Sequence, residues 1–209
     1  MITGIFLLTW AAFASLMSLY VLSGWWITLW IFLGFLSGYL IVLLVFFLGH
    51  IPLLQALPMN SRYKGYVTQS IAYFSNRFLF NIHVKAIGKK NIPKKGAVVF
   101  YGNHKSFADP FVVMESIGRG AGYTPKESLY KVWLLRQWFK IMYCMKIYRT
   151  DERKTLETLI VGIKQLKDDY AMVVFPEGGI KDLNTESIVK TRAGAFKLAM
   201  KGQSTLFHQ

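Results

Sequence analysis

Charge is missing from the front of this chain: none of the first 61 of its 209 residues is Asp, Glu, Lys or Arg. Acidic residues are scarce in the remainder, 11 against 25 Lys and Arg, and none lies between Arg62 and Ala108. The resulting net charge of +14 narrows the partners to nucleic acid, an anionic membrane surface, or acidic substrates and carriers. The uncharged front favours the membrane. Cysteine is nearly absent as well: Cys144 alone excludes an internal disulfide and fits a reducing cytoplasm. No Cys/His cluster suggests a metal site, and neither an internal repeat nor a low-complexity linker is visible.

Two nearly unbroken apolar runs fill the uncharged region, Ile2 to Leu22 and Trp25 to Leu48, separated by Ser23-Gly24. Each is close to the ~20 residues that a helix needs to cross a hydrocarbon core. Helices keep every backbone amide paired in lipid, and these Leu- and Phe-rich runs read as helices. Trp25, Trp26 and Trp30 cluster near the turn, where indole rings favour the interface, and His50 and Pro52 end the second run. A cleaved signal peptide fits poorly, because no basic segment precedes the first run and a second follows at once. A buried soluble helix pair fits poorly too, since neither run has a polar face. If both runs span, the ends of the hairpin share one side, and the basic segment from Arg62 places that side in the cytoplasm. A re-entrant hairpin dipping into one leaflet is the other placement.

From Arg62 to Phe80 the pattern turns amphipathic, with Tyr66, Ile71, Tyr73, Phe74, Phe78 and Phe80 among Arg62, Lys64 and Arg77. It suits a helix at headgroup level drawn to anionic lipid, or equally a connecting helix packed on the next domain. The expected organisation is an anchor over 1–50, an interfacial linker over 51–80 and a folded domain over 81–209. In that domain Asn81 to Gly88 alternates and reads as a strand, and Asn91 to Gly96 is a turn. Ala97–Tyr101 and Ala171–Phe175 are continuous apolar runs that suit buried strands, with a short strand at Ala121–Thr124. Helices are expected over Phe111–Ile117, Ser128–Met145, Arg153–Lys167 and Thr191–Lys201. Strands alternating with helices predict an α/β layer structure with a largely parallel central sheet.

Working groups in open α/β sheets lie beyond the carboxyl ends of strands. Two segments fit that position, Gly102 to Asp109 and Pro176 to Asp182. His104 can accept a proton, and Asp109, five residues on, can hold the imidazole tautomer and stabilise its cation. The same spacing also suits a loop histidine followed by an N-capping Asp, with Pro110 at the start of a helix. Taken alone, the spacing does not choose. His50 reads as a helix-end residue, His83 as a strand-surface residue and His208 as part of a tail; none is given a role.

More residues carry a resemblance. Asn103-His104-Lys-Ser-Phe-Ala-Asp109 matches the HxxxxD signature of the glycerolipid acyltransferases, and Phe175-Pro176-Glu177-Gly178 matches their FPEG block. Between them, Lys126 and Arg149 stand where that family's second block has its basic residues, and Gly194 resembles the glycine of the segment after the FPEG block. From about Val84 to Ala199 the chain resembles this family, most nearly the bacterial 1-acyl-glycerol-3-phosphate acyltransferase type. The resemblance implies that His104 removes the proton from the sn-2 hydroxyl of lysophosphatidic acid as that oxygen attacks an acyl thioester, with Asp109 orienting His104. It implies that Lys126 and Arg149 hold the substrate phosphate and that Glu177 and Gly178 line the substrate site. The donor would be acyl-CoA or an acylated carrier protein, used as co-substrate, with no metal and no cofactor. Partners implied are lysophosphatidic acid and anionic membrane lipids, at a cell membrane with the catalytic domain on the cytoplasmic side. Nucleic acid is not among them.

Two departures stand out. The family usually continues its FPEG block with Thr-Arg-Ser, where this chain has Gly179-Ile180, so an arginine that helps bind phosphate is missing. Lys181 or Arg192 could substitute. The chain also stops at Gln209 with no proline after Pro176, which leads to the expectation of a truncated C-terminus and a sheet lacking its last strands. An acyltransferase for another lysolipid, and an inactive protein that binds anionic membranes, are the alternative functions.

Overall fold

In the computed structural model of this chain, residues 2–20, 24–58, 60–167, 170–180, 191, 193–202 and 205–208 are described. They form two units, Met1–Ala56 and Leu57–Gln209.

The first unit is a pair of helices, α1 (Ile2–Tyr20) and α2 (Gly24–Leu44). At ~1.5 Å per residue these span about 28 and 32 Å, matching the ~30 Å of a hydrocarbon core. Phe6 sits wholly buried between them, edge-on to Phe35 at 5.2 Å and to Tyr39 at 5.1 Å. Gly34 and Gly38, one turn apart on α2, make room for these rings: a Cβ on either would come within 3.1 Å of Phe13 or Phe6. The Trp10 indole N–H donates to the Ile31 carbonyl at 3.0 Å. The outward faces stay apolar, with Leu8, Leu19, Phe32 and Leu40 exposed. Both helices are long and apolar enough to cross a membrane. The second does not end at His50 and Pro52 as expected. A π-helical turn, Val45–His50, leads into α3 (Ile51–Ala56). The wider turn accommodates a proline ring and its missing N–H without breaking the helical path.

The second unit is mostly helical around a small sheet. Its first helix, α4 (Arg62–Phe74), is capped by the Ser61 hydroxyl and buries Lys64, Gly65, Val67, Thr68, Ala72 and Phe74. Of the two readings of this segment, the structure has the packed one: α4 lies against α5 (Asp109–Ile117), and Gly65 meets the backbone of Gly120. Residues 57–80 therefore belong to the second unit.

The sheet contains β1 (Val98–Tyr101), β2 (Ala121–Gly122), β3 (Ala171–Val174) and β4 (Thr205–His208), in the order β2-β3-β1-β4 and parallel throughout. Val-Val-Phe-Tyr and Ala-Met-Val-Val are apolar at every position because both faces are covered. Val98, Phe100, Ala171 and Val173 face Ala72, Val113, Met114 and Ile117 on one side. Val99, Tyr101, Met172 and Val174 face Met145, Leu159, Ile163 and Ala199 on the other, where α7 (Glu152–Lys167) and α8 (Ala193–Gly202) lie.

Three local expectations change. Asn81–Gly88 is not a strand. Ile82 and Val84 do turn inward between exposed neighbours, but Asn81 and Gly88 have φ of 53° and 74°, and the Ile82 N–H bonds back to Asn76. Alternation describes a half-buried extended chain; a strand also needs a partner. The long helix expected over Ser128–Met145 is a 3-10 turn, Glu127–Lys131, then α6 (Trp133–Ile141), separated by an extended Val132. At the far end His208, expected in a tail, closes the strand Thr205–His208, which pairs in register with β1.

Candidate active site

β1 delivers the chain to Gly102 and the loop that follows, while β3, its hydrogen-bonded neighbour, delivers Phe175–Gly179 to the same edge of the sheet. The two expected catalytic residues meet there. Nδ1 of His104 lies 3.0 Å from Oδ2 of Asp109. That oxygen also accepts the backbone N–H groups of Lys105 at 2.7 Å and Ser106 at 2.8 Å. Asp109 is thus the first residue of α5 but not its N-cap: its carboxylate turns back to the loop, and the cap position is Ala108. Burial alone would raise the Asp109 carboxyl, but hydrogen bonds from His104 and from the two amides outweigh it and hold it below its ordinary range. An ionised Asp109 that accepts from Nδ1–H leaves the neutral imidazole's lone pair on Nε2.

The FPEG segment grips this histidine twice. The ring of Phe175 stacks on the imidazole, with centroids 4.4 Å apart and planes 17° from parallel. Glu177, expected at the substrate, is 2% exposed, and its Oε1 accepts the His104 backbone N–H at 3.2 Å. It therefore holds the loop that carries His104 instead of facing solvent. Gly178 takes φ of 72° and its N–H closes the turn onto the Phe175 carbonyl.

Arg149 and Lys126 are both exposed and lie on segments that pair in parallel, Lys126 opposite Ile147. The structure brings Arg149 to the FPEG turn: a Cβ on Gly179 would lie 2.5 Å from its Nη2. Asp151, two residues after Arg149, caps α7 by accepting the Lys154 N–H at 3.0 Å and pairs with the Lys154 ammonium. Lys181 and Arg192, the other candidates for phosphate, lie outside the described residues. A recess of about 220 Å³ opens beside Asp109, lined also by Gly102, Asn103, Val112 and Val113.

Sequence reasoning missed the roles of Phe175 and Glu177 as clamps on His104. The FPEG block marked both as noteworthy, but only the adjacency of β1 and β3 shows what they touch.

Residues 83–207 match the family model described as Acyltransferase. A probable 1-acyl-sn-glycerol-3-phosphate acyltransferase of Mycoplasma pneumoniae is 31% identical over 127 residues, 58% of this chain and 46% of that protein. A 1-acyl-sn-glycerol-3-phosphate acyltransferase of Saccharomyces cerevisiae is 26% identical over 177 residues, 82% of this chain and 58% of that protein. The chain thus spans about half the length of the curated relatives it matches. The crystal structure of the 1-acyl-sn-glycerophosphate (LPA) acyltransferase PlsC from Thermotoga maritima superposes with a TM-score of 0.59 at 19% identity, covering 81% of this chain and 69% of that one. That likeness concerns the fold.

Proposed function

Because the chain belongs to the acyltransferase family, we propose that it transfers an acyl group from a thioester to the sn-2 hydroxyl of 1-acyl-glycerol-3-phosphate, yielding phosphatidic acid. The observation that carries this reading is the 3.0 Å contact between His104 Nδ1 and Asp109 Oδ2 beyond the carboxyl end of β1. Relatives named 1-acyl-sn-glycerol-3-phosphate acyltransferases suggest the acceptor, and acyl-CoA or an acylated carrier protein is the proposed donor.

The step follows from the tautomer. Nε2 of His104 takes the proton from the acceptor hydroxyl as its oxygen bonds to the thioester carbonyl carbon. Asp109 stabilises the resulting imidazolium and keeps the ring in place, the arrangement of a serine-protease triad with the substrate hydroxyl in the serine's position. The tetrahedral adduct collapses, the carbon–sulfur bond breaks, and the proton on Nε2 goes to the departing thiolate. Phe175 and Glu177 are positioning residues in this scheme. Arg149, lying against Gly179, and Lys126 supply positive charge for the acceptor phosphate; a guanidinium suits bidentate contact and an ammonium a point contact. The proposed location is a cell membrane, with the hairpin as anchor and the second unit on the cytoplasmic side.

The test is direct: full-length protein in detergent, lysophosphatidic acid and a labelled acyl thioester. His104→Ala is expected to lower kcat by ~100 to 10,000-fold, the usual range for general-base assistance. Transfer that persists unchanged in the variant would falsify the assignment of His104.

A further inference from the structure

The segment between the two proposed phosphate-binding residues carries a surface that the reaction does not use. Leu129, Val132 and Trp133 are 41%, 51% and 52% exposed. Trp133 begins α6, and Arg136 and Lys140 follow it at three and seven residues, the spacing of one helix face. Lys131 lies in the turn just before, and all three cations are exposed. From Pro125 to Arg149 there are six Lys and Arg and a single acid, Glu127. Among the described residues, Lys131, Arg136 and Lys140 form no salt bridge. The backbone beneath this surface is held firmly. Tyr130 packs on Phe139 at 4.9 Å, its hydroxyl donates to the Cys144 carbonyl, and the Lys146 ammonium lies 4.5 Å from its ring centroid.

We propose that this face, Glu127–Lys131 with the outward side of α6, docks on an anionic bilayer as a second membrane contact, independent of the hairpin. Indole and aliphatic side chains interleaved with cations match the headgroup level, where rings and methyl groups leave water while ammonium and guanidinium groups meet lipid phosphate. An acidic carrier protein would satisfy the cations equally. It would have less use for three large apolar side chains, and lipid is the partner that two apolar helices in the same chain keep close. The second unit begins at the residue after the hairpin unit ends, so chain connection alone raises the local concentration of bilayer surface. The face follows β2 in the chain, beyond its carboxyl end, where the parallel sheet also presents His104. Docking there keeps the proposed active site beside its lipid acceptor.

The test uses the full chain reconstituted in vesicles, labelled with an environment-sensitive fluorophore on Val132→Cys. Cys144 is half-buried, and the wild-type chain treated with the same fluorophore gives its background. Labels on Leu8→Cys, in the hairpin, and Ile87→Cys, in the loop entering β1, serve as references. With phosphatidylglycerol in the vesicles, the label at 132 is expected to emit at shorter wavelength and to be shielded from aqueous iodide. In pure phosphatidylcholine, in 0.5 M salt, or with Lys131→Glu, Arg136→Glu and Lys140→Glu combined, that shielding is lost, while the label at Leu8 stays in lipid. Iodide access at 132 equal to that at Ile87 in anionic vesicles overturns the proposal, and the Leu8 label shows whether the anchor failed with it. Shielding that arises only on adding an acidic carrier protein also overturns it, in favour of a protein partner.

Discussion

His104 is held by three different side chains, each through a different force. Asp109 sets its tautomer, Phe175 presses on its ring and Glu177 secures its backbone. Their removal should therefore leave different signatures. Phe175→Leu loses an aromatic contact worth about 0.5–1.5 kcal/mol, so kcat should fall about 2- to 10-fold with KM little changed. Glu177→Ala leaves a partly buried N–H unpaired and should cost about 1–3 kcal/mol in urea unfolding together with a loss of kcat. Glu177→Gln keeps an accepting oxygen and should restore most of both; equal damage from Ala and Gln would show that the charge, not the hydrogen bond, matters. Lys64 is a residue-scale case outside the site. Its ammonium is buried, donates to the Leu57 carbonyl at 2.8 Å and lies 4.7 Å above the Tyr143 ring, and among the described residues it forms no salt bridge. Desolvation lowers it from 10.5 to about 8. Between those values the unfolded chain binds more protons than the folded one, so stability should rise with pH across roughly 8 to 10.5, having carried the full penalty of the buried charge below pH 8. The difference in unfolding between wild type and Lys64→Met, followed across that window, isolates the effect; parallel curves would refute it.

At the scale of elements, close approach is what the sheet and its covering segments depend on. Gly122 in β2 is the clearest point: a Cβ there would lie 2.9 Å from the Met142 carbonyl oxygen and 3.0 Å from that of Tyr143. Backbone atoms cannot swing aside as a side chain can, so Gly122→Val should destabilise by at least ~1–3 kcal/mol, read from urea unfolding in detergent. Gly4, with nothing near its Cβ position, is the control, and Gly4→Ala should be close to neutral. Element identity is legible where burial is complete: the unbroken apolar runs Ala97–Tyr101 and Ala171–Phe175 predict strands, and they contain β1 (Val98–Tyr101) and β3 (Ala171–Val174). It is not legible where partners decide. Asn81–Gly88 alternates like a strand and pairs with nothing as one, whereas Thr205–His208 has little pattern of its own and completes the sheet beside β1.

For the whole molecule, charge and hydropathy divide the chain into two units that answer to different solvents. The first presents exposed Leu and Phe with no charge on either helix; the second carries all 25 basic residues. Full-length protein expressed in cells should therefore stay with the membrane pellet after an alkaline carbonate wash. Release into the supernatant would mean that the hairpin is covered by protein instead of lipid.

Residue order was enough for the two uncharged helices and the parallel sheet, because periodicity and run length are local properties, and it marked His104 and Asp109 as a candidate pair that the fold brings to 3.0 Å. It was not enough to rule out Asp109 as an N-cap, to turn Glu177 inward, or to lay Arg149 against Gly179. The first is decided within the loop, where Lys105 and Ser106 donate to Asp109, and Arg149 arrives on the segment paired with Lys126. The inward Glu177 follows from two strands 73 residues apart, Val98–Tyr101 and Ala171–Val174, lying side by side in register and ending together. Hydrogen bonds and ring stacking act over a few ångströms, so their partners exist only once the sheet has formed.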